Sequence, residues 1–186
     1  MRIISGFLKG KSINYLRNSM TRPLKDSVKE NIFNILYHSN LINVKIKNAN
    51  VLDLFSGIGS FGIECISREA KKVTFVERDL EAVKILKNNL IKCSIVEKTN
   101  LLNREIKDAI EKCKNEKFNI FFFDPPFLSN DYIKYLYLIK KNQMYKKNHI
   151  VIIHRERKTK ESLKEYMNTI NIKNYGRSKI IFGLFT

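Results

Sequence analysis

The 186-residue sequence predicts an α/β protein on a doubly wound, mostly parallel seven-stranded sheet, with a C-terminal antiparallel hairpin and a basic N-terminal extension. Three observations predict it. From residue 50 onward, short apolar runs alternate with segments of helical periodicity, as in successive βα units. The runs are nearly continuous in apolar character, which suits strands covered on both faces. The last two runs are joined only by a tight turn at Gly176-Arg177, so they are antiparallel, because parallel neighbours need a long crossover.

Residues 1–22 read as an extended basic arm, with Ile3–Phe7 hinting at strand. Ser27-Val-Lys-Glu30 carries a capping-box signature and opens a helix over Val28–Tyr37, whose apolar face is Val28, Ile32, Phe33, Ile35 and Leu36. Asn50–Leu54 is the first core strand, and a helix over Ser60–Glu69 follows its glycine-containing turn. Val73–Val76 and Asp79–Ile91 form the next strand and helix, then a weaker strand at Ser94–Val96 and a helix over about Leu101–Lys114. Phe118–Phe123, aromatic and bounded by Asp-Pro-Pro, is the strongest strand signal. A helix over Tyr132–Lys141, a strand over His149–His154 and a helix over Lys160–Met167 lead to closing strands Ile170–Tyr175 and Lys179–Phe185. Residues 1–40 are expected to pack as arm and helix on a domain formed by 41–186, one structural unit in all.

Composition excludes several classes. Apolar residues are 44% and charged residues 28%, the mix of an ordinary globular chain. No apolar run approaches the ~18 residues of a membrane span, and the N-terminus lacks the apolar stretch of a secretory signal. The three cysteines include no C-x-x-C pair, and the three histidines lack zinc-ligand spacing, so no metal is expected and a reduced, cytoplasmic setting fits. Net charge is abnormal: 35 basic against 18 acidic side chains gives +17. Such a field favours polyanions, nucleic acid first and anionic lipid second. A Lys-, Asn- and Ile-rich coding composition accounts for part of the total, but less well for its clustering. Residues 1–30 hold seven basic side chains against Asp26 and Glu30, and residues 134–160 hold nine against Glu156. From these clusters Lys9, Lys11 and Arg17 in the arm, and Arg155, Arg157 and Lys158 after the fifth strand, are the expected nucleic-acid-docking residues.

Two loops carry chemistry. The first, Asp53-Leu-Phe-Ser-Gly57-Ile-Gly59-Ser-Phe-Gly62, contains G-x-G-x-x-G after a strand and before a helix, and Glu77 closes the next strand, where an acid can take ribose hydroxyls. A glycine-rich turn without ligand is the structural alternative. Asp53, aimed into the same crevice, would repel a diphosphate but pair with an ammonium group, which favours S-adenosylmethionine over NAD. The second loop is Asp124-Pro125-Pro126-Phe127, where two prolines fix φ and remove two donors. The Asp124 carboxylate, the carbonyls of Asp124 and Pro125, and the flat face of Phe127 suit an exocyclic aromatic amine attacking a sulfonium methyl. Its structural alternative is a proline-terminated strand with a capping Asp.

This pair of loops resembles the class I amino-methyltransferases that act on nucleobases. Met1-Arg-Ile-Ile-Ser-Gly-Phe-Leu-Lys-Gly-Lys11, Thr21-Arg-Pro-Leu-Lys-Asp-Ser-Val-Lys-Glu-Asn-Ile-Phe-Asn-Ile-Leu36 and Tyr175-Gly-Arg-Ser-Lys-Ile resemble the bacterial 16S ribosomal RNA guanine 2-amino methyltransferases of the RsmD type. That resemblance implies a Rossmann-like class I fold and methylation of a guanine 2-amino group in 16S rRNA, free or in the assembling small subunit, so that the nucleic acid docked on the basic residues is RNA. It implies S-adenosylmethionine as cofactor, S-adenosylhomocysteine as product, and a cytoplasmic monomer. It places the cofactor at Asp53, Phe55, Ser56, Gly57 and Gly59, with Glu77 at the ribose, neighbouring Arg78 also binding the cofactor, and Asn100, after the third strand, beside the adenine. Arg22, Pro23 and Asp26 match a signature bordering the methionine end, or else anchor the arm and cap the helix. Asp124 to Phe127 match the catalytic loop. The chain departs from the pattern at Leu24-Lys25, where Thr-Thr is common, and at the unusually basic His154-Arg-Glu-Arg157. The alternatives are a DNA adenine or cytosine amino-methyltransferase, a non-catalytic rRNA-binding assembly factor, and a nicotinamide oxidoreductase. The first lacks room for a target-recognition domain, the second is disfavoured by the intact loops, and the third by Asp53.

Overall fold

The computed structural model describes residues 1–15, 24–127 and 129–186. Its strands are β1 (Asn50–Leu54), β2 (Lys72–Glu77), β3 (Thr99–Asn103), β4 (Phe118–Phe123), β5 (Tyr145–Glu156), β6 (Asn168–Tyr175) and β7 (Ser178–Leu184). They form one sheet in the order β3-β2-β1-β4-β5-β7-β6. The first five are parallel, while β7 runs antiparallel to both β5 and β6. Strand order reverses between β1 and β4, which opens a crevice at their carboxyl ends. Asp53 and Asp124 stand there.

Alternate residues of the strands feed two cores. One face buries Val51, Phe75, Ile120, Phe122 and Ile152 against helices α1 (Asp26–His38), α2 (Ser60–Ser67) and α3 (Leu80–Lys92). Phe122 stacks on Phe61 of α2 at 4.0 Å between ring centroids, and Phe61 on Phe33 of α1 at 5.3 Å. The other face buries Leu52, Leu54, Val76, Phe121, Phe123 and Ile153 against α4 (Ile106–Cys113) and α5 (Tyr132–Lys141). Cys65, Cys93 and Cys113 are buried and unbridged. Among the described residues no helix is long and apolar enough to cross a membrane.

Several elements differ from the sequence expectation. Ser94–Val96 is not a strand. Ser94 adopts φ +57°, and the amides of Ser94 and Ile95 donate to the carbonyls of Ile91 and Leu90. That is a Schellman end to α3, with buried Ile95 as its apolar contact. The strand that was sought, β3, therefore begins at Thr99, and α4 starts at Ile106 instead of near Leu101. Lys160–Met167 is not a helix; it runs as turns and irregular chain, with Leu163 and Met167 in the second core and Glu161 drawn inward between Arg155 and Lys179.

The capping box does not form. Helix α1 begins at Asp26 with Lys25 at its N-cap and no side-chain cap bond. Over the described residues 1–15 the N-terminal segment is not an extended arm either. An antiparallel bridge between Arg2 and Ser12 closes a loop whose Ile3, Leu8 and Ile13 enter the first core. Amides of Ile4 and Ser5 donate to the buried Glu64 carboxylate at 2.8 and 3.0 Å, and Lys29 Nζ donates to the Arg2 carbonyl and Ser60 Oγ. Lys29 and Glu64 are both fully buried, 3.7 Å apart, so the Lys29 charge belongs to the fold and not to the surface. Gly6, at φ +80°, lets the loop lie on α2: a Cβ there would stand 1.8 Å from the Ser67 carbonyl oxygen.

Candidate active site

A cleft of about 830 Å³ opens over the carboxyl ends of β1, β2 and β4. Its wall brings together both predicted loops: Asp53, Phe55, Ser56 and Gly57 from the first, Glu77 and Arg78 beyond β2, and Asp124 to Phe127 from the second. Gly59 sits behind them, at φ +84°, where a Cβ would strike Leu86 at 2.3 Å.

Asp53 is buried at 1% exposure, and its Oδ2 accepts the Gly62 amide at 3.0 Å, tying the carboxylate to the first turn of α2. Its Oδ1 is buried and has no hydrogen-bond partner among the described residues. Burial pushes the Asp53 carboxyl well above the usual carboxylate range, and the nearby charges of Asp124 and Glu77 push the same way. A cationic group beside it would favour the ionised form.

Glu77 is held by the backbone. Its Oε2 accepts the Gly57 amide at 2.8 Å and its Oε1 the amides of Arg78 and Asp79, each at 2.9 Å. A carboxylate has roughly four acceptor positions, so about one remains for a ligand hydroxyl, not two. The same bonds make Glu77 the clasp between the glycine loop and the end of β2.

The Asp124 loop is fixed from β5. Asp124 Oδ1 lies 2.8 Å from His154 Nδ1. Arg155 is fully buried and donates to the Pro126 carbonyl at 3.1 Å, the Phe127 carbonyl at 3.0 Å and Asn130 Oδ1 at 3.1 Å. Its Nε donates to Glu161 at 3.1 Å, and its guanidinium stands 4.8 Å from the Tyr132 ring centroid. Burial alone would raise the Glu161 carboxyl, yet hydrogen bonds from Lys179, Thr159 and Arg155 bring it below its usual value. Arg155 is thus no RNA-docking residue. It staples the Asp124 loop to the sheet.

The other predicted positions divide. Asn100 lies inside β3, in register with Thr74, and not after the strand. The true strand end is Asn103, whose amide group donates to the carbonyls of Glu77 and Arg78, and the chain beyond it, Arg104 to Ile106, lines the cleft. The Schellman turn displaced that assignment. Arg17, Arg22 and Pro23 lie outside the described residues. Asp26 opens α1, 3.7 Å from Lys29 Nζ. Lys9 and Lys11 are exposed, as are Arg157 and Lys158, which line a second hollow of about 610 Å³ with Gly176 and Arg177. The 134–160 cluster does not form one surface, since Lys146 and Lys147 sit near the start of β5, at the amino end of the parallel strands, away from the cleft.

Sequence reasoning missed Tyr15 and Leu24 as cleft residues, because nothing in a basic arm signals a wall. It also missed His154. That residue is 4% exposed, lines the cleft and meets the Phe127 ring edge-on at 5.4 Å between centroids.

A family model described as "Conserved hypothetical protein 95" matches residues 1–183. Ribosomal RNA small subunit methyltransferase D of Haemophilus influenzae is 36% identical over 160 residues, covering 84% of this chain and 79% of its own length. The protein of the same name from Buchnera aphidicola subsp. Baizongia pistaciae is 31% identical over 185 residues, covering 100% of this chain and 91% of its own. The crystal structure of a presumed methylase from Haemophilus influenzae superposes with a TM-score of 0.79 at 29% identity, covering 99% of this chain and 97% of that one.

Proposed function

The chain belongs to the conserved hypothetical protein 95 family, and from that membership we propose that it methylates the 2-amino group of a guanine in small-subunit ribosomal RNA, with S-adenosylmethionine as donor. One observation supports this most. A single cleft holds the buried, unpartnered Asp53 Oδ1 beside Glu77 on one side and Asp124-Pro-Pro-Phe on the other. Relatives named for methylation of small-subunit rRNA support the substrate class.

The residues fit the donor. Asp53 Oδ1 is a buried carboxyl oxygen lacking a partner among the described residues, and an ammonium group beside it would favour its ionised form, while Glu77 has acceptor capacity left for a hydroxyl. Gly57, with open space where a Cβ would be, lets the ligand approach the backbone. S-adenosylmethionine supplies an electrophilic methyl group and leaves as a neutral thioether. The chain's part is to present the amine. Asp124 accepts an amino hydrogen, which turns the nitrogen lone pair out of conjugation, and then takes the proton that the methylated nitrogen must lose. Phe127 offers its ring to the base and Arg155 keeps its carbonyl in place, so positioning supplies much of the effect.

Mass spectrometry of 16S rRNA nucleosides with and without the gene tests the assignment. A guanine that loses its N2-methyl group only in the deletion strain is the expected result; identical nucleoside profiles would overturn it.

Replacing Glu77 by Gln tests the cofactor side. The amide keeps the shape but turns one acceptor into a donor facing the loop amides, so affinity for S-adenosylmethionine should fall by about 1.5–3 kcal/mol, roughly 10- to 150-fold. Calorimetry on folded protein giving the wild-type constant would remove Glu77 from the site. For the RNA side, Lys9→Gln, Lys11→Gln and Lys158→Gln are combined in one protein. Each lost phosphate contact should lower the slope of log K against log salt by about 0.7–0.9. A triple variant with the wild-type slope would show these side chains to be a solvated surface only.

A further inference from the structure

We propose that the hollow between the end of β5 and the turn joining β6 to β7 seats a backbone phosphate of the RNA close to the target nucleotide, with Arg177 as its chief cation. This rests on the ribosomal RNA reading above and deepens it by fixing a second point at which the polymer is held.

The hollow, about 610 Å³, is lined by Glu156, Arg157, Lys158, Gly176 and Arg177. Three cations stand against one acid, with no aromatic or apolar residue, so the lining suits an anion and gives a base nothing to stack on. All three cations are exposed. Among the described residues none of them is joined to an acid, whereas exposed Arg78, Lys114 and Lys134 pair with Glu105, Glu111 and Asp131. Glu161, the next acid along the chain, is taken by Arg155 and Lys179.

The backbone holds these charges together. The Arg157 amide donates to the Arg177 carbonyl at 2.8 Å, and the Thr159 amide and hydroxyl both donate to the Glu156 carbonyl, closing the turn that carries Arg157 and Lys158. Like charges gathered in this way repel one another until an anion sits between them. Gly176 has open space where a Cβ would stand, so no side chain narrows the hollow there. An arginine can meet a phosphate with two parallel N–H donors. Of the two arginines Arg177 has the more rigid mount, since Tyr175 pairs with Ser178 on either side of its turn.

Position makes the anion a phosphate of the substrate. Strand β5 runs parallel to β4, and β4 to β1, so its end lies at the cleft side of the sheet. Along it His154 lines the cleft, Arg155 grips the Asp124 loop, and Glu156 lines the hollow, about 7 Å beyond His154 at the rise of a strand. A nucleotide turned into the cleft therefore has flanking phosphates within reach of the hollow. A phosphate held there sets the register of the chain and offsets part of the unstacking cost without reading sequence.

The test uses 16S rRNA lacking the modification, free and in reconstituted small subunits, ligated so that each phosphate flanking the target is in turn an uncharged methylphosphonate. The 2′-hydroxyl beside that linkage is removed in probe and phosphodiester control alike, because it would cleave the neutral linkage. In wild type, one position should lower kcat/KM at least about fivefold. Arg177→Gln should lower kcat/KM on the control by a similar factor, and the same methylphosphonate should then cost it less than about twofold, as two halves of one contact require. The Arg177 side chain is exposed and its tie to Arg157 is made by the backbone, so this variant keeps the fold. Lys147→Gln removes the same charge near the start of β5 and should retain the whole wild-type sensitivity. Indifference of wild type to every methylphosphonate overturns the proposal. So does an Arg177→Gln protein that keeps the full sensitivity, even at lowered activity, since Arg177 would then touch a protein of the subunit or nothing. Lost sensitivity in Lys147→Gln as well would assign the effect to the overall field of the protein and overturn the seat. A wild type that methylates neither form of the RNA overturns the ribosomal RNA reading along with it.

Discussion

Asp124→Ala is expected to cut the single-turnover rate of methyl transfer by about 10²–10⁴-fold while cofactor affinity stays near wild type. The residue follows β4 at the mouth of the crevice, and in the proposed function its carboxylate faces the amine while Asp53 and Glu77, across the cleft, take the donor's ammonium and ribose. An acceptor for the amino hydrogens gains strength as the nitrogen becomes tetrahedral and cationic. Its loss therefore falls on the transition state more than on the ground state, and should appear in kcat with little change in KM. The substitution also leaves His154 Nδ1 without its partner, at a cost of about 1–3 kcal/mol of stability, so rates must be taken on protein shown to be folded and cofactor-bound. A rate within a few-fold of wild type would end the assignment of Asp124 as the acceptor.

How much of this was legible in the sequence depends on how local the cause is. The two loops could be read because each is a short run at the end of one strand: Asp53 and Gly57 after β1, Asp124 after β4, Glu77 closing β2. Their meeting in one cleft follows from parallel strands that all point the same way. The third strand could not be read, because an apolar residue in a Schellman end looks like a short strand, and only the αL backbone of Ser94 tells them apart. Asn100 was misplaced for that reason alone.

The N-terminal segment and β5 were opaque for a different reason. Lys29, Glu64 and Arg155 are charged residues in charged surroundings, and the usual fate of such residues is solvent. Each is buried because a partner distant in the chain closes over it: Glu64 receives amides from Ile4 and Ser5, and Arg155 receives carbonyls from residues 28 and 29 positions away. In β5 both faces are covered from His149 to Arg155, so no alternation of polar and apolar residues marks which side chain points inward. The basic stretch was visible; its splitting into one buried staple and an exposed rim was not.

Arg155→Met should therefore act on stability first and on catalysis second. Methionine approximates the volume and the apolar stem but removes the cation, leaving the Phe127 carbonyl and Asn130 Oδ1 without the donor they share and Glu161 with one cation in place of two. The Pro126 carbonyl keeps a second donor, the Ser129 amide, so the loop loosens without losing every tie. Breaking a buried ion pair by removing one partner costs about 3–5 kcal/mol. At roughly 2–4 °C per kcal/mol for a chain of this length, thermal unfolding should begin about 6–20 °C lower. Arg155→Lys separates charge from geometry. An ammonium can pair with Glu161 but cannot span two carbonyls and an amide at once, so most of the stability should return while the loop stays imprecise. In the Lys variant kcat should remain depressed, with cofactor affinity at the wild-type value. Full recovery of kcat by lysine would show that charge alone holds the loop, and a melting temperature unchanged in Arg155→Met would show that the buried guanidinium holds nothing at all.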